Sequence, residues 1–558
     1  MIALSAEKVL VCSAWPYASS IPHLGNLIGS LLSGDAFMRY YRLKGADALH
    51  VSGSDAHGTN VEFEARQQGR SPEELYREVH EQIVDLIDKF EIDMFYTTTE
   101  SPSHYRFSQD LYRRAEANGY IINCEEERAF CTHDELFLAD RYIQGTCPKC
   151  GSPDAYGNQC DDCGALLEPE ELNDPHCRVC GQKTITFKNT KHWYLDLPKL
   201  ESPLNEFVGG KDFGTNVAAF TRNLLKEGLE PRAVTRDLKW GIPAPFEGAE
   251  GKVLYVWAEA ALGYVSATIQ YFEQQGDPEG WKPYWLEDHR DGPLKHVYTQ
   301  GKDNIPFHTV FFPAQLLSSG ENYHLPDQIS ATEYLNWIGG QQFSKTRRVG
   351  LYGHEALELL PSEYWRFYLF SFRPEQRDIN FSWSDLDKAI NGIFVNNIAN
   401  LIYRVASLTN ARYDGTLAAT EIDAKIQGAI EATKTKYQDA IESGQLAPAI
   451  REVGELAVVG NEFVQSAKPW ESHKPDEMRS AFELVKALAI LLEPFVPSFA
   501  ARSYRVLGLD NPSLDDVGHA VDGAVTLGET ERLMEKIDVE ELQERYEAIV
   551  KAKGTADA

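Results

Sequence analysis

A doubly wound parallel α/β sheet, interrupted by a zinc-knuckle insertion and followed by a C-terminal α-helical bundle, is the fold this 558-residue sequence predicts. Three observations predict it. Residues 4–120 alternate short apolar strands with amphipathic helices, which implies a parallel, Rossmann-like sheet covered on both faces. Eight of the nine cysteines fall between 124 and 180, where that rhythm stops. From about residue 385 strands disappear and long helical periodicities take over.

Taken in order, KVLVCSA at 8–14 reads as a buried strand, and a helix runs from about 24 to 44. DALHVSGSD at 47–55 is a second strand, and HGTNVEFEARQQG starts a helix. SPEELYREVHEQIVDLIDKF at 71–90 opens with Ser-Pro-Glu-Glu, a helix-start signature. Residues 1–120 therefore form the first half of an α/β domain, and 121–225 an inserted domain with the cysteines. The α/β pattern resumes over 226–384, with LKHVYTQGKDN at 294–304 and QISATEYLN at 328–336 as further strands and loops. A helical domain fills 385–525, and 526–558 forms a helical tail.

Composition narrows the function classes. The longest apolar run, ALAILL at 487–492, stops at a glutamate, far short of the ~20 residues a membrane span requires. No secretory leader is visible, and a cytoplasmic location is expected. The formal charge of −30 excludes bulk attraction to nucleic acid. It fits a salt-rich cytoplasm, or a surface that conceals a local basic face. An RNA partner would have to be held by a limited patch and specific contacts.

The loop after the first strand ends in Pro-His23-Leu-Gly25-Asn26 at the mouth of a helix. In a doubly wound sheet ligands bind at strand ends, and a helix start offers free N–H groups to phosphate. Gly25 leaves the backbone open to approach. The pattern is neither the dinucleotide fingerprint nor the lysine-containing P-loop. From these residues alone, a triphosphate site and simple helix capping with a packing glycine stand about equal. A second loop, Phe343-Ser344-Lys345-Thr346-Arg347-Arg348, is bracketed by Gly339, Gly340 and Gly350. Its lysine offers a compact charge that can close over phosphate, although an exposed basic turn reads the same way. Asp55 follows a strand and is either an ammonium partner or a helix cap. Trp257 and Tyr264, two helical turns apart, can face one cavity or simply fill core.

Cys147-x2-Cys150 and Cys160-x2-Cys163 form two knuckles with nine residues between them. That spacing predicts a tetrahedral zinc site, with an iron–sulfur cluster as the alternative for the same ligands. Cys177-x2-Cys180 is a third pair, with Cys131 upstream. His176 sits next to the third pair but is expected to point away. Cys12 and Cys124 read as buried thiols.

Taken together, AWPYASSIPHLGNLIG, GSDAHGT, DRYIQGTCPKCG, RDLKWGIP, YVWAEAALGY, GKDNIPFH and QFSKTRRVG resemble, in order, the motifs of the methionyl-tRNA synthetases, class I aminoacyl-tRNA synthetases with an archaeal and eukaryotic-like core. The resemblance spans about 1–350 and continues in the helical half to about 500. It implies ATP-dependent activation of L-methionine to the adenylate and transfer to the 3′ end of tRNA(Met), with Mg2+ accompanying ATP. His23, Asn26 and Lys345 would be the catalytic groups. Gly25, Asp303, Phe343, Ser344 and Thr346 would join them around ATP, and Lys302 is equally a surface charge. Ala14, Trp15, Tyr17, Asp55, Trp257, Ala260, Tyr264 and His308 match the methionine pocket. The resemblance completes a second metal site from Cys131, Cys177 and Cys180 with Asp134 or His133. Asn400, Arg404, Pro469 and Trp470 match the positions that read a CAU anticodon. A monomer is expected, the tRNA being held by the core alone or with a separate tRNA-binding accessory protein.

Trp15, where bacterial members often have leucine, and Thr346, which replaces a serine and keeps its hydroxyl, depart mildly from the family pattern, and three further positions depart more. Gln342 replaces a lysine, with Arg347 or Arg348 as possible substitutes. Glu259 and Ala261 replace Asp and Pro, which bears on selectivity against substrates shorter by one methyl. Those departures keep two other readings open: a non-catalytic tRNA-binding or regulatory paralogue, and a paralogue activating a related small amino acid.

Overall fold

The computed structural model describes residues 7–138, 142–157, 160, 163, 165, 167, 169–343 and 349–556. Seven strands organise the part that bears on function: β1 (Lys8–Ser13), β2 (Asp47–Ser54), β3 (Phe95–Thr98), β4 (Ile121–Cys131), β5 (Ile185–Leu195), β6 (Leu294–Gly301) and β7 (Gln328–Thr332). Five of them form one parallel sheet in the order β7-β6-β1-β2-β3. The chain winds outward from β1 in one direction and returns to β6 on its other side. Strand order thus reverses between β1 and β6, and a crevice opens beyond their carboxyl ends.

The central strand shows why this sheet is buried on both faces. Val9 and Val11 face one apolar core, while Leu10 and Cys12 face another. Side chains alternate along a strand, so an unbroken apolar run serves two faces at once. The first core also contains Leu401, Leu456 and Leu488, so the helical bundle and one face of the sheet share a single apolar interior.

After β1 the chain turns into Leu24–Asn26, passes through a π turn at Leu27–Leu31 and continues as Leu32–Leu43. The predicted helix over 24–44 is therefore present, with one wider turn inside it. β4 and β5 pair antiparallel along their whole length, from Ile121 opposite Leu195 to Cys131 opposite Ile185. This long hairpin leaves the core after β3 and carries the cysteine knuckles at its far end. The bundle is built from Asn400–Arg412, Ala424–Glu442, Leu446–Ala467, Pro475–Leu492 and Pro497–Leu507. A final helix, Val539–Ala556, folds back so that Tyr546 meets Trp337 at 5.2 Å and Trp383 at 5.9 Å. Among the described residues no helix is long and apolar enough to cross a membrane.

Candidate active site

The ends of β1 and β2 are stitched together before any side chain is considered. The Asp55 N–H donates to the Pro16 carbonyl at 2.9 Å, and the Ala18 N–H donates to the Asp55 carbonyl at 2.8 Å. Ala14 is held from both sides, its N–H on the Thr299 carbonyl at 2.9 Å and its carbonyl accepting from Ser30 Oγ at 2.7 Å. One cavity in the crevice is lined by Ala14, Trp15, Tyr17, Asp55, Trp257, Ala260, Tyr264 and His308. All eight pocket residues expected from sequence therefore meet. Ala261, Asn304 and Phe307 complete the lining. Of these, Phe307 was missed. It stacks on Trp257 with ring centres 4.3 Å apart, while Tyr17 meets Trp257 edge-on at 6.1 Å. The signal for Phe307 was its place one residue before His308, but only the π turn at Phe307–Phe311 turns both toward the cavity.

The polar groups of this cavity are neutral or strained by burial. His308 Nδ1 donates to the Asn304 carbonyl at 2.9 Å, so its Nε2 accepts from the Tyr264 hydroxyl at 2.8 Å. Burial lowers the His308 pKa to about 4 and keeps the ring uncharged. Asp55 is fully buried. Desolvation, reinforced by the nearby Glu259 carboxylate, pushes its pKa well above the ordinary carboxylate value. A cation beside it would be strongly favoured. The helix-cap alternative for Asp55 is met only in part: its Oδ1 accepts from the His57 N–H at 3.2 Å, and the N-cap of the following helix is Gly58.

At the helix mouth the capping alternative for His23 is met. His23 and Asn26 form a reciprocal cap: the Asn26 N–H donates to His23 Nδ1 at 3.3 Å, and the His23 N–H donates to Asn26 Oδ1 at 3.2 Å. A Cβ at Gly25 would lie 3.0 Å from the His23 ring, so glycine there makes room for the imidazole. The ring also stacks on Phe343, 4.3 Å between centres and 5° from parallel. Burial under that ring lowers the His23 pKa to about 4. Ser344, Lys345 and Thr346, with Arg347 and Arg348, lie outside the described residues. Both of that loop's flanks reach the helix mouth. Phe343 stacks on His23 from one side, and on the other the Leu24 N–H donates to the Leu351 carbonyl at 3.2 Å. Gln342 is exposed.

The GKDN turn is tied to its neighbours. Lys302 Nζ reaches Glu333 at 2.7 Å and Asp378 at 2.8 Å, and the Tyr334 hydroxyl donates to Asp303. Lys302 is thus a bridging side chain and not a free surface charge.

The cysteines gather into two clusters: Cys147, Cys150, Cys160 and Cys163, and Cys131, Asp134, Cys177 and Cys180. Their geometry is that of metal ligands. Cys150 and Cys160 sulfurs are 3.6 Å apart and Cys147 and Cys163 sulfurs 3.9 Å apart. Four sulfurs at ~2.3 Å from one tetrahedral ion lie about 3.8 Å from each other, whereas a disulfide requires ~2.05 Å. In the second cluster Cys131 and Cys180 are 3.7 Å apart, and Asp134 Oδ2 lies 3.3 Å from Cys131 Sγ and 3.2 Å from Cys177 Sγ. Asp134, not His133, places its side chain among the three sulfurs. His133 instead faces the outer oxygen of Asp134, Nδ1 to Oδ1 at 3.3 Å. Backbone conformation explains why. Four residues after Cys147 and Cys177, Gly151 and Gly181 take positive φ (77° and 70°), and four residues after Cys131, Glu135 does the same at 52°. Cys131–Glu135 therefore repeats the knuckle turn, with Asp134 in the place of its second cysteine. Of the two thiols expected to be buried, Cys12 is buried, but Cys124 is exposed, because β4 presents it outward.

In the bundle, Asn400 and Arg404 share a helix, and the Arg404 guanidinium lies 6.0 Å from the centre of the Trp470 ring. Trp470 is presented by a short helix, Pro469–Ser472, preceded by Lys468 in the left-handed conformation at φ 44°. Pro469 itself is buried and seats this turn.

Residues 9–406 match the family model described as "tRNA synthetases class I (M)", and residues 414–551 match "Anticodon binding domain of methionyl tRNA ligase". A methionine–tRNA ligase of Thermofilum pendens is 43% identical over 556 residues, 97% of each chain. One from Aeropyrum pernix is 43% identical over 514 residues, 90% of this chain and 89% of its own. Among solved structures, the fold is similar to that of Mycobacterium tuberculosis methionyl-tRNA synthetase in complex with methionyl-adenylate, with a TM-score of 0.76 and 21% identity over 94% of this chain and 99% of the other.

Proposed function

We propose, from the premise that the chain belongs to the methionyl-tRNA synthetase family, that it activates L-methionine with ATP and transfers the methionyl group to tRNA(Met). A methionine carboxylate oxygen bonds the α-phosphorus of ATP as the bond to the pyrophosphate oxygen breaks. A ribose hydroxyl at the tRNA 3′ end then bonds the methionyl carbonyl carbon, and AMP leaves. No step requires a protein nucleophile, so catalysis rests on positioning and charge stabilisation.

The Asp55 carboxylate takes the methionine ammonium. Trp257, Phe307, Tyr17 and Tyr264 supply the polarizable aromatic wall that a thioether favours. His23, Asn26 and the helix start around Gly25 hold the triphosphate, with Asp303 on the nucleoside side and Phe343, Ser344 and Thr346 in the closing loop. Lys345 stabilises the charge that develops on phosphorus. The family's charge at Gln342 is lost, and Lys345 carries the loop's role without it. Mg2+ arrives with ATP. Zinc suits both cysteine clusters by donor chemistry, and its work there is to hold the insertion rigid. Asn400, Arg404 and Trp470, seated by Pro469, recognise the CAU anticodon by hydrogen bonding and stacking. The division into 1–120, 121–225, 226–384, 385–525 and 526–558 separates these tasks, in a cytoplasmic monomer that acts with or without a separate tRNA-binding protein.

The observation that carries this reading is the assembly of all eight pocket residues around fully buried Asp55 at the point where strand order reverses. Amino-acid-dependent ATP–pyrophosphate exchange across a small panel, followed by charging of tRNA bearing CAU, tests it. Methionine alone should drive exchange. Exchange driven by another amino acid, or by none, would sink it.

A further inference from the structure

Behind the cavity lies a hydrogen-bonded chain of ionisable groups that the reaction itself does not use. Glu259 is completely buried, and each of its oxygens meets a different histidine. Oε1 is 2.7 Å from His57 Nδ1, and Oε2 is 2.6 Å from His104 Nε2. The far side of the His57 ring meets Glu100 Oε1 at 2.5 Å, and Glu100 accepts from the Tyr105 hydroxyl, also at 2.5 Å. His104 Nδ1 pairs with Ser266 Oγ at 2.9 Å.

The two histidines lead to opposite walls of the cavity. His57 donates its backbone N–H to Asp55 Oδ1 at 3.2 Å, so its placement sets the direction of that carboxylate. His104 lies under the Trp15 indole, ring centres 6.1 Å apart. That indole sits in a slot between Gly53 and Gly263, where an added Cβ would come within 2.6 Å and 2.5 Å of it.

We propose that Glu259 is a positioning residue for methionine binding, one carboxylate that fixes the ammonium end of the cavity through His57 and the aromatic end through His104. This rests on the reading of the cavity as a methionine site. Its electrostatics agree with its geometry. Burial alone would lower the His57 pKa, but the Glu259 and Glu100 carboxylates outweigh it and raise the value to about 10. Burial would raise the pKa of Glu259, and its two histidines hold it below the ordinary value. His57 is thus a resident cation that offsets the negative charge gathered around Asp55. The family pattern places an aspartate at this position. Glutamate carries the carboxylate one methylene farther from the backbone.

The test is methionine-dependent pyrophosphate exchange with Glu259→Gln, which keeps the shape and removes the charge. The methionine KM should rise at least tenfold, with the ATP KM changed less than twofold. An unchanged methionine KM, or an equal rise for ATP, overturns the proposal. Thermal melting reports whether the variant folds. Should it not, Glu100→Gln loosens His57 from its more accessible side, and a methionine KM that stays at the unmodified value overturns the proposal there too. Absence of methionine-driven exchange in the unmodified protein would instead overturn the functional reading.

Discussion

The sheet core and the knuckle insertion hold themselves together differently. Around β1, both faces are sealed by apolar side chains drawn from distant parts of the chain, so that Val11 and Leu488 belong to one interior. In the insertion, the described apolar cluster has eleven buried residues, and four of them are the metal-site cysteines Cys131, Cys147, Cys160 and Cys177. So small an apolar cluster cannot offset the conformational entropy of ordering the segment. Metal binding at the two clusters would supply the difference. The core depends on burial that no single residue controls, whereas the insertion gathers its side chains around two clusters of four candidate ligands each.

Metal removal should separate the two regions most sharply. Structural zinc contributes ~10–16 kcal/mol of apparent folding energy in small zinc domains. A strong chelator should therefore unfold the insertion while the core stays folded. Charging of tRNA should fall further than pyrophosphate exchange, with circular dichroism following the loss of structure. Asp134→Ala should reduce bound metal from two ions to one per chain by elemental analysis. Retention of both would exclude Asp134 as a ligand.

A smaller effect, confined to the core, is expected at Asp55. Asp55→Asn removes a charge-assisted contact of about 1.5–3 kcal/mol, so the methionine KM should rise roughly 10- to 150-fold. The same group predicts a pH dependence. Burial raises its pKa, so the protonated, non-binding form persists to higher pH than for an ordinary carboxylate of ~4. The methionine KM should therefore rise as pH is lowered through the range above the ordinary carboxylate value, reflecting incomplete ionisation of Asp55. A KM that stays flat across that range would show that Asp55 ionises normally.

The smallest expected effect lies outside both regions. Trp470→Ala should weaken tRNA(Met) by about 1–3 kcal/mol, the usual contribution of a stacked base. Its signature is a raised tRNA KM in charging assays. An unmoved tRNA KM would remove Trp470 from the anticodon site.

Legibility followed the same divide. The spacing of Cys147, Cys150, Cys160 and Cys163 showed their cluster directly, since a knuckle is a local turn. The alternation in KVLVCS showed a strand buried on two faces. Asp134 and His133 could not be separated, because the deciding feature is the left-handed backbone at Glu135, and glutamate does not advertise it. Glu259 was legible only as an unusual residue at a motif position. Its two histidine partners lie 202 and 155 positions away in the chain.

What the sequence determined by itself was whatever repeats within a turn or a few residues: strand alternation, helix periodicity, the reciprocal His23–Asn26 cap and the cysteine pairs. Backbone geometry sets those spacings, so a short window contains the whole physical cause. Tertiary structure alone decided which distant groups share a site: Asp55 against Tyr17, Phe343 over His23, Phe307 on Trp257 and Glu259 between its two histidines. Such contacts depend on how separate elements pack, and close packing brings together residues whose separation along the chain has no period to read.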